Sequence, residues 1–437
     1  MNNVRNVAHK VPVWGWWIFS IAVLGAFIAT FFVLMSDARA SVFYGYGNPN
    51  KQVSAVEAAE IPVVPPPPPI HITPPEHVRA IYMSACAVGT PSLRDSMVSF
   101  IRKSSAPNLN AVVIDVKDYS GGISFETDNP KLAPFVSEKC GARDMKEYIA
   151  KLHTYNIYVI ARITVFQDPM YTRAHQDEAV QRKGGGVWKD NHGLAFVDVG
   201  AKPFWDHIVT LGKESYDLGF DELNFDYVRF PSDGPMSLAV YSWDKGKTKP
   251  QALEEFFKYL SEQLRPSGAI LSADLFGMTT TNEDDLNIGQ VLERALPYFD
   301  FVDPMVYPSH YPSGFNNYKN VNANAYGIVN FSLARAVERA ISSTTTVEAF
   351  GQIPIASTSP QQYQKPVFAA SKIRPWLQSF DYPVPYTPAM VEEQIKATND
   401  AGIEDWIFWD AANKYTSLRQ VLGKIKVVDS SATSSMN

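Results

Sequence analysis

The sequence predicts a (β/α)8 barrel carried behind a single N-terminal membrane helix. Three observations predict it: a 22-residue uncharged run at 14–35, a proline-rich stretch after it, and eight short β-branched or aromatic runs alternating with helix-period segments from Val78 onward.

The elements follow in chain order. Residues 1–13 carry Arg5 and Lys10 ahead of WGWWIFSIAVLGAFIATFFVLM. A helix of that length crosses a hydrocarbon core of ~30 Å, and the flanking positive charge assigns residues 1–13 to the cytoplasm. The barrel is then expected on the extracytoplasmic side of the cell membrane. A cleaved signal peptide is the alternative, because Ala38-Arg39-Ala40 resembles a cleavage site. Its apolar region usually spans only ~7–15 residues, which favours a retained anchor. Residues 36–77 read as a disordered linker ending in IPVVPPPPPIHITPP, whose prolines hold a stiff extended spacer. Residues 429–437, DSSATSSMN, read as a disordered tail.

Residues 78–428 hold the barrel. The strand candidates are 78–85, 111–118, 157–166, 221–230, 269–277, 301–308, a weak one at 373–381, and 405–411. Between them lie amphipathic segments at 92–103, 143–155, 202–219, 252–264, 285–299, 332–343 and 388–402. An open doubly wound sheet would use the same alternation, but nucleotide binding there needs a glycine-rich turn after the first strand. CAVGTPS has one glycine, so no nucleotide is expected. A formal charge of -6 without a basic cluster argues against nucleic acid. Cys86 and Cys140 fall at one end of such a barrel, where a bridge is geometrically possible and two free thiols equally so.

In this fold the strand C-termini carry the chemistry. On the fourth strand a period of two puts Glu222, Asn224 and Asp226 on one face and Leu223, Phe225 and Tyr227 on the other, with Asp226 highest. The fifth strand ends on Asp274, and the second places Asp115 and Lys117 on one face. Charges inside apolar strands need a partner or a function. For Asp115 an ion pair with Lys117 or Arg162 would suffice. Asp226 and Asp274, on neighbouring strands at the catalytic end, suit glycosidic cleavage, which uses one carboxylic acid and one carboxylate. Candidate sugar contacts are Asp115, Lys117, Arg162, Asn224, Arg229, Tyr307, His310 and Trp409, with Tyr119, Tyr227 and Tyr311 as further rings at strand ends.

The segments AVVIDVKDYSGGISF, FDELNFDYVRFP, SADLFG, DPMVYPSHYPSGF and DWIFWDAANKY resemble the DUF4015 family of glycoside hydrolases over about Val78 to Tyr415. The resemblance implies a TIM barrel of the α-glycosidase-like superfamily, with a nucleophilic aspartate at the end of strand four, here Asp226. It also implies a proton donor on strand five or six, Asp274 or Asp303. Asp274 is preferred, since Asp303 lies early on its strand beneath Met305 and Tyr307.

Two other readings compete. A metal-dependent carbohydrate esterase would need clustered ligands, but His153, His192, His207 and His310 form no HxxH, HxxxH or HExxH spacing. No metal or other cofactor is therefore expected. A non-catalytic glycan-binding barrel would tolerate amides where Asp226 and Asp274 stand. The expected partners are thus a carbohydrate and, through residues 14–35, the membrane.

Overall fold

The structure, a computed structural model, describes residues 71–104, 109–244 and 246–424. The cytoplasmic segment, the membrane helix, residues 36–70 of the linker and the tail lie outside the described residues. Among the described residues no helix is long and apolar enough to cross a membrane.

Eight strands close into a parallel barrel: β1 (Arg79–Met83), β2 (Ala111–Lys117), β3 (Tyr158–Thr164), β4 (Glu222–Asp226), β5 (Ile270–Phe276), β6 (Phe301–Met305), β7 (Trp376–Gln378) and β8 (Trp406–Trp409). Each falls within one of the expected runs. Neighbours in sequence are neighbours in the sheet, and β1 pairs with β8 through Arg79 and Trp406 to shut the ring. The helices that follow the strands are α1 (Pro91–Ser104), α2 (Met145–Thr154), α3 (Lys202–Asp217), α4 (Lys249–Leu264), α5 (Leu292–Ala295), α6 (Ala325–Ile341), α7 (Pro388–Asp400) and α8 (Thr416–Lys424).

Alternation along the strands divides the core in two. Ala80, Tyr82, Ala111, Val113, Tyr158, Ile160, Trp376 and Ile407 pack with one another inside the ring. The intervening residues, such as Ile81, Val112, Ile114 and Val159, join the larger cluster with the helices. This is the layering a closed parallel barrel needs, since its sheet is covered on both faces.

Four expectations need correction. The helix expected over 285–299 shrinks to α5, because the Asp285 carboxylate accepts from the N–H groups of Asn287 and Gly289, and Leu286, Asn287 and Gly289 take positive φ. The linker ends sooner than residue 77: His71 stacks on Tyr216 at 3.9 Å, and Ile72 donates its N–H to Asp221 at 2.8 Å. Asp115 and Lys117 do not share partners, because the β2 register against β3 shifts between them. Lys117 is fully buried on Asp168 at 2.8 Å, while Asp115 meets Tyr82 and Arg162. Finally, Tyr227 takes φ 51°, which breaks the strand period and brings it beside Asp226 on the cavity wall. Cys86, in a one-turn helix (Ala85–Val88) just after β1, and Cys140, in the loop between β2 and α2, are joined as a disulfide.

Candidate active site

Each inward position along β4 meets a different partner. Glu222, lowest, takes Arg374 through both carboxylate oxygens at 2.5 and 3.1 Å and accepts from Ser272 at 2.6 Å. Arg374 also donates to Asp303 at 2.7 and 3.1 Å, and all three charged groups are fully enclosed. Asn224, next, directs its amide N–H groups at Asp274 (2.8 Å), Ser272 (3.0 Å) and Asp303 (3.2 Å). Asp226, at the strand end, accepts from the Tyr227 N–H at 2.5 Å and from Arg162.

Arg162 organises the upper layer. Projecting inward from β3, it bonds Asp115 at 2.5 Å, holds Asp226, and brings its Nε to 3.7 Å from Asp274 Oδ2. Asp274 Oδ1 accepts from the Trp376 indole at 2.6 Å as well as from Asn224. Burial drives the Asp274 carboxyl well above the ordinary carboxylate range, and the charges of Asp226 and Asp303 push the same way; Arg162 and Asn224 oppose them only in part. Burial also raises Asp115, against the pull of Arg162.

Above these groups opens a cavity of about 290 Å³ lined by Arg162, Asp226, Tyr227, Arg229, Asp274, Phe276, Met305, Tyr307, His310, Tyr311, Trp376 and Trp409, among others. Nine residues expected at the site therefore come together: Asp226, Asp274, Arg162, Arg229, Tyr307, His310 and Trp409, with the rings of Tyr227 and Tyr311. Asp115 braces Arg162 from outside the lining, Asn224 lies under Asp274, and Lys117 is directed elsewhere. Tyr119 is 56% exposed and off the wall.

Trp376, Phe276 and Met305 line the cavity without having been singled out. Trp376 stands on the weak seventh strand, which is three residues long and follows a buried arginine and a proline, so no alternation announced it. Gly277 has a steric reason to be glycine: a Cβ there would lie 2.4 Å from the Met305 carbonyl oxygen and 2.5 Å from the Tyr311 hydroxyl.

A wider groove of about 990 Å³ adjoins the cavity, the two sharing His310 and Trp409 in their walls, and is lined further by Phe380, Tyr382 and Tyr386. Tyr307 stacks on Trp409 at 5.6 Å, and Phe380 meets Trp409 edge-on at 4.8 Å. An aromatic wall thus continues from the carboxylates to the rim, the kind of surface on which sugar faces pack.

The model of the DUF4015 family, described as "Putative glycosyl hydrolase domain", matches residues 80–415. The chain belongs to this family. Among solved structures the DUF4015 barrel is similar to a hypothetical protein from Ruminiclostridium thermocellum ATCC 27405, at 30% identity over 48% of this chain and 98% of that one, with a TM-score of 0.40. It is also similar to the PgaB (BpsB) glycoside hydrolase domain from Bordetella bronchiseptica, at 14% identity over 80% of this chain and 100% of that domain, with a TM-score of 0.52. The catalytic domain of β-amylase from Paenibacillus polymyxa aligns at 10% identity over 79% of this chain and 98% of its own, with a TM-score of 0.47. The Bordetella likeness is one of fold. None of the curated proteins matches the chain.

Proposed function

We propose that this DUF4015 barrel is a glycoside hydrolase that cleaves a cell-surface or extracellular polysaccharide, with Asp226 as nucleophile and Asp274 as general acid. The observation that carries the reading is the pairing of unlike carboxyls in one cavity. Asp274 is buried and favoured in its neutral, proton-donating form, whereas Asp226 lies against a guanidinium and a backbone N–H that both stabilise negative charge. In this mechanism Asp274 Oδ2 gives its proton to the leaving oxygen while Asp226 attacks the anomeric carbon. Water later releases the sugar with Asp274 acting as base. Trp409, Tyr307 and His310 would hold the ring, and neighbouring units of the chain would run along the groove toward Tyr382.

The membrane placement belongs to the same proposal. It is supported by the uncharged run at 14–35 and by the Cys86–Cys140 bridge, a bond at home in an oxidising compartment.

The test is hydrolysis of cell-wall and exopolysaccharide preparations by wild type, Asp226→Asn and Asp274→Asn. Wild type should release reducing ends, and Asp226→Asn should lose about 10³-fold or more of kcat with its fold retained. Activity should fall on the alkaline side as Asp274 loses its proton, and Asp274→Asn should lack that limb. Equal turnover by Asp226→Asn would remove it from the mechanism. One feature favours a second reading, a non-catalytic glycan-binding barrel: Arg162 reaches both carboxylates from one side. Binding retained by all three proteins without turnover would select it.

A further inference from the structure

Two arginines and two aspartates line the cavity among the described residues, and Arg229 differs from the rest. Arg162 and Asp226 hold each other, and Asp274 is held by Asn224 and Trp376. Arg229, only 7% exposed, donates from Nη1 to the Phe230 carbonyl at 3.0 Å and to Ser232 Oγ at 3.2 Å. No carboxylate pairs with it among the described residues, and its other nitrogens donate to no partner there. Among the described residues the two further arginines buried this deeply each hold an acid: Arg339 holds Glu293, and Arg374 holds Glu222 and Asp303.

Three rings confine the guanidinium instead. It lies 4.9 Å from the centres of both Tyr227 and Phe276 and 5.7 Å from that of Phe196. Cation–π contact offsets part of the desolvation and fixes the plane, but it supplies no anion. Arginine keeps its charge under such burial. A positive fork is therefore held on the cavity wall, where Asp226, Asp233 and Asp190 act on it only from beyond ion-pair distance and Asp226 is already engaged by Arg162.

We propose that Arg229 is the seat for an anionic group on the sugar, so that the glycan taken by this cavity is acidic. This rests on the glycoside hydrolase reading of the cavity and names its substrate class. A carboxylate or a sulfate ester presents two oxygens to the free N–H groups of the fork, which a neutral hydroxymethyl group cannot match. The formal charge of -6 on the whole chain opposes indiscriminate attraction of polyanions, so a preference for acidic sugars has to arise locally.

The test is equilibrium binding by the full chain in detergent at fixed moderate salt. The probes are hyaluronan and polygalacturonate, each beside its carboxyl-reduced form, and dextran sulfate beside dextran. Wild type should bind at least one acidic polymer more tightly than its neutral counterpart, by about 10- to 100-fold, the range expected when a charged hydrogen bond is lost. Arg229→Met should erase that preference, and Arg229→Lys should keep part of it. Preference for the uronates assigns a carboxylate and preference for dextran sulfate a sulfate. The comparison within wild type needs no variant, so a folding defect in Arg229→Met leaves the question open to decision. Equal affinity for acidic and neutral forms, binding of no acidic polymer, or an undiminished preference in a folded Arg229→Met would overturn the proposal. Turnover is scored separately against Asp226→Asn. Acid-selective binding without turnover sinks the hydrolase reading and leaves Arg229 in its role.

Discussion

Two arginine-centred clusters lie at successive depths inside the barrel, built from the same residue types and opposite in character. In the lower one, Arg374 faces Glu222 and Asp303, each side chain at 0% exposure, and Ser272 and Tyr158 add bonds to Glu222. In the upper one, Arg162 alone serves Asp115, Asp226 and Asp274, with its side chain 13% exposed at the cavity floor. Buried ion pairs hold together only when each charge is matched and hydrogen-bonded. The lower cluster sets two acids against one guanidinium, but every group is hydrogen-bonded and sealed from the cavity, so the acid raised there, Asp303, is shut away from any substrate. The upper one is also short of positive charge, but it opens to a cavity, so the acid driven toward its neutral form there, Asp274, stands on the cavity wall. The contrast teaches that an inward acid becomes chemically available where its cluster opens to a cavity, and not merely where its charge is incompletely neutralised.

The comparison breaks most directly at the two arginines. Arg374→Met strands two acids in a sealed interior and should destabilise the fold by about 3–5 kcal/mol, lowering the thermal midpoint by roughly 5–10 °C. Arg162→Met leaves its acids beside a cavity that water can enter, so turnover should collapse while the midpoint falls by less than half as much. Calorimetry of both proteins decides, and equal losses of stability would mean that the two clusters are one structural unit.

A smaller effect separates the clusters by pH. Burial pushes the Asp303 carboxyl up from 3.8 to about 7, against the opposing pull of Arg374. Between those values the folded chain keeps a proton that the unfolded chain has released. Raising the pH therefore favours unfolding, by up to about 1.4 kcal/mol per unit for one such group, and the loss levels off above about 7. Asp303→Asn stays neutral throughout, so its midpoint should fall less steeply than that of wild type between pH 4.5 and 7. Parallel curves would show that Asp303 carries no such proton.

Much of this architecture was legible in the sequence, because the barrel strands are short and largely apolar and alternate with helical segments, and a period of two carried Glu222, Asn224 and Asp226 inward. Legibility failed where the period failed. A register shift in β2 separated Lys117 from Asp115, and a left-handed residue turned Tyr227 toward the cavity. The lower cluster was hidden for another reason: Arg374 precedes a strand of three residues, and its partners come from β4 and β6, distant in sequence. Pattern reading registers a charge in a strand but not whether another strand neutralises it. That is why Asp303 and Asp274, paired across β5 and β6, looked like alternatives for one role.

The smallest expected effect lies at the boundary between the clusters, where Trp376 donates its indole N–H to Asp274 Oδ1. Trp376→Phe keeps an aromatic ring on β7 and removes that donor, weakening a hydrogen bond that favours the ionised acid. Stability should drop by about 1 kcal/mol, and the alkaline limb of the activity profile should move upward by less than about one pH unit. The direction carries the argument. Asp274 has its proton withheld from solvent by burial and partly drawn off by its donors, so removing a donor strengthens its hold on the proton. A limb that moved downward would mean that the group titrating there is not Asp274, and the upper cluster would lose its claim to the acid.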